Sequence, residues 1–257
     1  RRQRQMCIRD SNLILQAVGN EFYAQLFPCA KAMYSAPDYL SGRTMYCDGD
    51  SVAYGSGTNT MGNSTYSFCN YVAEKYNMTM TNKATPGTTL AIRKDFIGTD
   101  HRSILERVRE MKGSYDVILL DGGFNDLFKN VKMGAMTDIN NKSGKYNEYT
   151  TAGALESICY FLDKNYKDSI KLFVLCHNCS TRTKQSQYWS LIKNILDKWE
   201  IPYVDISEET ELTDDNEEIT TQYFRYNATT KKGDGIHPLA YALSLIHISE
   251  PTRQAEI

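Results

Sequence analysis

The run Asp116-Val117-Ile118-Leu119-Leu120-Asp121-Gly122-Gly123-Phe124-Asn125-Asp126 decides the fold. An unbroken apolar stretch of strand length, stopped by two glycines, is how a strand reads when both of its faces are covered in a parallel sheet. Working outward, similar short runs recur at residues 43–47, 78–82, 171–176 and 202–206. Residues 62–76, 100–111, 151–165 and 183–199 lie between them and carry apolar side chains at helical spacing. Residues 129–149 are polar, with Gly134, Gly144 and several Asn, and predict an insertion loop; residues 208–218 predict an acidic, solvated loop. Strands alternating with helices imply a three-layer α/β/α sandwich with a parallel sheet of about five strands and right-handed crossovers. In such sheets ligands bind beyond the carboxyl ends of the strands.

Composition narrows the function classes. The chain has 257 residues, 41% hydrophobic and 23% charged, with 16 Gly and 6 Pro, which is a globular make-up. The formal net charge is −2, so no basic excess exists to neutralise phosphates, and a nucleic-acid partner is not expected. No stretch of about 18 apolar residues occurs, so no membrane span is expected. Cys29, Cys47, Cys69, Cys159, Cys176 and Cys179 are scattered through a chain too large to need disulfide staples, and reduced thiols are expected. Cys176 and Cys179 form a lone C-x-x-C without a second one to complete a metal site, so a structural or pocket-lining role is expected and no metal.

Both ends read differently from the middle. Residues 1–11 (RRQRQMCIRDS) and 243–253 (LSLIHISEPTR) each resemble the in-frame translation of an adapter used in transposase-based sequencing libraries. The expectation is that 1–11 and 243–257 are not natural sequence and are set aside from fold reasoning. Residues 12–42 then form a strap or the end of an upstream segment, and 43–242 the folded domain with its last helix cut. Localisation is not readable from such a piece.

Four polar motifs follow the predicted strands. The first is Asp48-Gly49-Asp50-Ser51-Val52-Ala53-Tyr54-Gly55. A serine in a glycine-flanked turn at a strand end presents its hydroxyl to the cleft, although the same pattern also makes a plain helix cap. The second is Thr85-Pro86-Gly87-Thr88, where Gly87 can bring its N–H close to a ligand or simply complete a Pro-Gly turn. The third is Gly122-Gly123-Phe124-Asn125-Asp126; the Asn125 amide can stabilise an oxyanion or cap the next turn. The last is Gly233-Asp234-Gly235-Ile236-His237-Pro238. An Asp three residues before a His, on one tight loop, can accept the imidazole Nδ1–H and leave Nε2 to take a proton from serine. Asp48, Asp50 and Asp126 are further carboxylates near the cleft, and Asp50 reads as a tie between loops.

Together, and in this order, the four motifs resemble the SGNH or GDSL hydrolase family over residues 44–242. The resemblance implies a flavodoxin-like sandwich, no cofactor, and ester hydrolysis through an acyl-enzyme. Matched residue by residue, Ser51 resembles the nucleophile, His237 the base and Asp234 its orienting acid. The Ser51 and Gly87 backbone N–H groups and the Asn125 amide resemble the oxyanion hole. Tyr54, Phe124 and His177 are expected to line the substrate pocket because they neighbour these motifs. The implied substrate is a small-molecule or carbohydrate ester. Two other readings stay open: a flavodoxin-like module binding a nucleotide or flavin, with Gly55-Ser56-Gly57-Thr58 as its phosphate loop, and a catalytically inactive accessory domain.

Overall fold

The computed structural model describes residues 40–56, 67–94, 102–176, 183–206 and 217–239. Both adapter-like ends, most of the 12–42 segment, the final helix after His237, and His101, His177, Cys179, Gly57 and Thr58 lie outside the described residues.

Five parallel strands form the sheet: β1 (Thr44–Asp48), β2 (Thr79–Asn82), β3 (Val117–Asp121), β4 (Ile170–Leu175) and β5 (Tyr203–Asp205). Their order is β2-β1-β3-β4-β5, the doubly wound order of a flavodoxin-like sheet. The α/β sandwich expected from the alternation of strands and helices is therefore the fold of this chain. β3 is central, and its side chains divide with a period of two. Ile118 and Leu120 face one layer, whereas Leu119 faces the other.

The first layer packs α3 (Ile104–Arg109), α5 (Thr151–Asn165) and α6 (Thr183–Lys198) on the sheet. It buries Ile104, Leu105, Val108, Leu155, Ile158, Leu162, Ile192, Ile195 and Leu196. The second layer holds α1 (Ser51–Tyr54) and α2 (Phe68–Lys75), with Val52, Ala53, Phe68 and Ala73 against Met45, Leu119, Leu172 and Val174. The short α4 (Phe124–Phe128) follows β3 directly. Helix starts are defined by side chains. Ser103 with Glu106 and Ser67 with Asn70 form capping boxes, and Thr150 caps α5 by accepting from Gly153 N–H.

Two expectations need correction. The acidic stretch does not run to 218 as a loop, because Glu217–Tyr223 is a helix, α7. The Asp234–His237 motif is not a tight loop. It lies on β7 (Lys232–Pro238), which pairs antiparallel with β6 (Phe224–Asn227) in a hairpin apart from the main sheet. Glycine-rich, polar strands of this kind lack the apolar run that announces the others. Gly233 packs so close to α7 that an added Cβ would fall 1.6 Å from the Thr220 carbonyl oxygen. The polar segment 129–149 is irregular, as expected. It is pinned by Lys198, whose ammonium is fully buried with Glu156 and donates to Thr137 Oγ1 at 2.7 Å.

The turn from β3 into α4 depends on Gly123, which caps α4 at φ +103°. A Cβ there would lie 2.5 Å from Ile192 Cδ1. Gly123→Ala should combine left-handed backbone strain with overpacking and cost about 2–4 kcal/mol. A chemical denaturation curve with an unchanged midpoint would contradict this account of the turn.

Candidate active site

Asp50 starts the site. It caps α1 by accepting from Val52 N–H at 3.0 Å, and so sets Ser51 as the first helical residue. Gly55 closes that single turn at φ +94°, and its N–H donates to the Ser51 and Val52 carbonyls. Gly49 must be glycine, since a Cβ would sit 2.7 Å from Ala53 Cβ and 3.0 Å from Asp121 Cβ. Ser51 is 9% exposed and so is Asn125. Asn125 Nδ2 donates to the second Asp50 oxygen at 3.0 Å. A carboxylate only accepts, so this bond fixes the amide orientation and leaves the other Nδ2 hydrogen free to donate.

The hairpin brings His237 to the serine. His237 Nε2 lies 2.9 Å from Ser51 Oγ, and Nδ1 lies 2.8 Å from Asp234 Oδ2. With Nδ1 protonated toward Asp234, Nε2 is the acceptor for the hydroxyl. Asp234 is itself held by its other oxygen, which accepts from Ile236 N–H at 2.9 Å and His237 N–H at 2.8 Å. Burial works to raise the Asp234 carboxyl, but the bonds from the His237 ring and the two backbone N–H groups prevail and hold it below the ordinary carboxylate range. Asp234 thus stays ionised at neutral pH and can accept the Nδ1–H of His237.

Gly87 lies in a turn at φ +76°, a left-handed position that suits glycine. That turn is docked on the serine turn: Thr85 N–H and Thr88 Oγ1 both donate to Gly49 O, at 3.0 and 3.2 Å. Lys129 donates to the Gly87 carbonyl from the end of α4. Asp126 closes the arrangement by accepting from Leu90 N–H (2.7 Å), Ala91 N–H (3.1 Å) and Thr151 Oγ1 (3.2 Å). Burial pushes its carboxyl up to about 7 against the pull of those donors.

The structure thus brings Ser51, His237 and Asp234 into one hydrogen-bonded chain, and joins Asn125 to the serine turn through Asp50. Tyr54 is 38% exposed, three residues after Ser51. Phe124 follows Gly123 at the start of α4. It is 4% exposed and packs in the core, with its ring stacked on the exposed Phe128 at 6.3 Å. Cys47, Cys69, Cys159 and Cys176 are free and buried. Among the described residues no group of three His, Cys, Asp or Glu side chains is placed to hold a metal ion, and no helix is long and apolar enough to cross a membrane.

Several residues escaped the sequence reading. Arg225 donates from Nε to Asp234 Oδ2 at 3.0 Å, the oxygen that His237 also contacts. Arg107 reaches from α3 to Asp48 Oδ1 through Nε at 3.0 Å and Nη2 at 2.6 Å, and its Nη2 also donates to Gly49 O and Thr88 Oγ1. It therefore ties the serine turn to the Gly87 turn. Tyr46 OH donates to the other Asp48 oxygen at 2.9 Å. An arginine on an otherwise amphipathic helix gives no signal that it turns inward; only the fully buried partner reveals it.

No family model matches the chain, and no curated protein sequence matches it. Its fold is shared by solved structures at low identity. A protein from Lactobacillus plantarum superposes with a TM-score of 0.63 at 18% identity, covering 85% of this chain and 100% of its own. A protein described as a GDSL-like lipase from Bacteroides ovatus gives 0.54 at 15% identity, over 84% of this chain and 100% of its own. A carbohydrate acetylesterase family member from Sinorhizobium meliloti gives 0.51 at 14%, over 83% of this chain and 98% of its own. These likenesses establish the architecture.

Removing Arg107 would leave the fully buried Asp48 charge unpaired. Arg107→Leu should cost about 3–5 kcal/mol of stability, read as a lower urea midpoint. Asp48→Asn in the same chain should restore part of that loss. A double variant as unstable as the sum of the two singles would show that the ion pair is not the reason.

Proposed function

We propose that the protein is a serine esterase that hydrolyses small acyl esters through an acyl-enzyme. The observation that carries this reading is the 2.9 Å contact of Ser51 Oγ with His237 Nε2, continued at 2.8 Å to Asp234. A serine hydroxyl is a weak nucleophile at its own pKa, and an aligned imidazole removes the proton as attack occurs. Burial of Ser51 and Asp234 keeps that chain of hydrogen bonds shielded from water.

The steps follow from the groups in place. Ser51 Oγ attacks the ester carbonyl carbon while its proton moves to His237 Nε2. The carbonyl oxygen becomes an alkoxide, met by the N–H groups of Ser51 and Gly87 and by the free Nδ2 hydrogen of Asn125. Asp234 stabilises the imidazolium without taking its proton. His237 then protonates the leaving alcohol, the carbon–oxygen bond to it breaks, and the acyl group remains on Ser51. Water repeats the sequence, with His237 again as base, and releases the acid and the free serine.

The substrate part of the proposal is an O-acetyl or similarly short acyl ester of a carbohydrate. It draws on the fold shared with the acetylesterase family member and on the exposed Tyr54, which ends the helical turn that Ser51 begins and offers a ring suited to a sugar face. Tyr54 and His177 are put forward as substrate contacts.

A fluorophosphonate probe should label Ser51 in the wild-type chain and fail to label Ser51→Ala or His237→Ala. Ser51→Ala should lose ester hydrolysis while keeping its circular dichroism spectrum; undiminished turnover in that variant would remove the nucleophile assignment. Asn125→Ala should lower kcat about 100- to 1,000-fold with KM nearly constant, because an oxyanion donor acts mainly in the transition state. An effect confined to KM would deny it that role. A series of model esters of rising acyl length should show the highest kcat/KM at acetyl; a preference for long chains would replace the carbohydrate-ester reading with a lipid one.

A further inference from the structure

Asp121 is a buried carboxyl beside the triad for which the mechanism above has no task. It ends β3, is 0% exposed, and neither of its oxygens receives a hydrogen bond from any N–H or O–H group among the described residues. Its Cβ lies 3.0 Å from where a Cβ on Gly49 would stand, so it sits directly against the turn that carries Asp50 and Ser51. The side chains within its hydrogen-bonding reach are Asp50, itself 0% exposed, and the buried thiol of Cys176.

Two carboxylates in contact are two acceptors and repel; the contact becomes a hydrogen bond only with a proton between them. In a dry site both cannot be ionised. The partners decide which of the two keeps the proton. Asp50 accepts from Val52 N–H and Asn125 Nδ2, each at 3.0 Å, and both bonds stabilise its charge. Asp121 has no N–H or O–H donor of this kind among the described residues; the Cys176 thiol beside it is a weak donor and stabilises a charge far less. The other titratable groups around Asp121 are the thiols of Cys176, just past β4, and Cys69, on α2. Burial, with the Asp50 charge added to it, pushes the Asp121 carboxyl well above the ordinary range.

We propose that Asp121 is a positioning residue that acts as a neutral acid, its O–H donating to Asp50 and thereby fixing the side chain that holds the Asn125 amide and caps the Ser51 turn. The proton is shared within the pair and is not passed to substrate. Loss of that proton places two negative charges in contact, turns Asp50 away, and releases Asn125 Nδ2. The damage falls on kcat, because the amide is used on the developing alkoxide and less on the bound ester.

The inference rests on the esterase reading for its kinetic arm and is independent of it for its spectroscopic arm. In wild-type protein at neutral pH, infrared difference spectra against Asp121→Asn should contain the C=O stretch of a protonated carboxylic acid. Asp121→Asn keeps a donor of the same shape that cannot ionise. It should hold kcat within about threefold of wild type and decline less on the alkaline side. Asp121→Leu has no donor and should lower kcat about 10- to 100-fold at similar KM, the scale of a misplaced catalytic group. If Asp121→Leu does not fold, the infrared comparison and the Asp121→Asn pH profile decide alone. Absence of the carboxylic-acid band overturns the proposal, as does an Asp121→Asn profile that falls with pH as steeply as wild type. Wild-type protein that shows the band but neither hydrolyses esters nor labels with fluorophosphonate would instead overturn the esterase reading and leave the protonated pair standing.

Discussion

The Asp50 carboxylate is the point on which the site depends. One of its oxygens caps the helical turn that presents Ser51, and the other holds the Asn125 amide, 75 positions further along the chain. These two bonds make one rigid unit from loops that follow different strands. A buried anion is costly in isolation, and its partners must all be present at once. That requirement is what makes the arrangement cooperative: the turn, the amide and the carboxylate hold each other, and none is stable in place without the rest.

The same logic extends outward. Irregular backbone beyond a sheet edge has no ladder to satisfy its polar groups, so side chains must do it. Arg107 and Asp48 supply this under the serine turn, Thr88 reaches across to Gly49, and Asp126 collects the N–H groups of Leu90 and Ala91. The sheet gives the site its place and these buried charges give it its shape. His237 arrives by another route. The β6–β7 hairpin lies outside the parallel sheet and packs on α7 through Gly233, and Asp234 is braced from the neighbouring strand by Arg225.

Elements with a periodic apolar pattern were legible, with ends that shift by one to several residues. The central run at 117–121 reads as a buried strand because both of its faces meet helices, and 151–165 reads as a helix because its apolar side chains recur on one face. The hairpin was not legible, because β6 is only four residues long and β7 is polar with two glycines, and a motif there looks like a loop. Ser51, Asn125, Asp234 and His237 were legible as candidates by type and order, and their contacts with one another and with Asp50 were not. Arg107, Arg225 and the role of Asp121 were not, since an isolated charged residue carries no mark of the partner it meets. The burial of Phe124 was not legible for the converse reason: nearness in sequence to Asn125 says nothing about how a ring is packed.

By itself the order of residues determined the layered parallel architecture, because hydrophobic periodicity is local and survives without knowledge of any contact. It also placed a serine, an amide, and an Asp three residues before a His after predicted strands. Only the tertiary structure decided that an imidazole at 237 meets a hydroxyl at 51 across 186 positions, and that two carboxyls, at 50 and 121, share one dry space. Distances of that kind are set by how strands stack and turns dock, and charge in a buried site is set by whatever surrounds it, so neither property resides in any single stretch of chain.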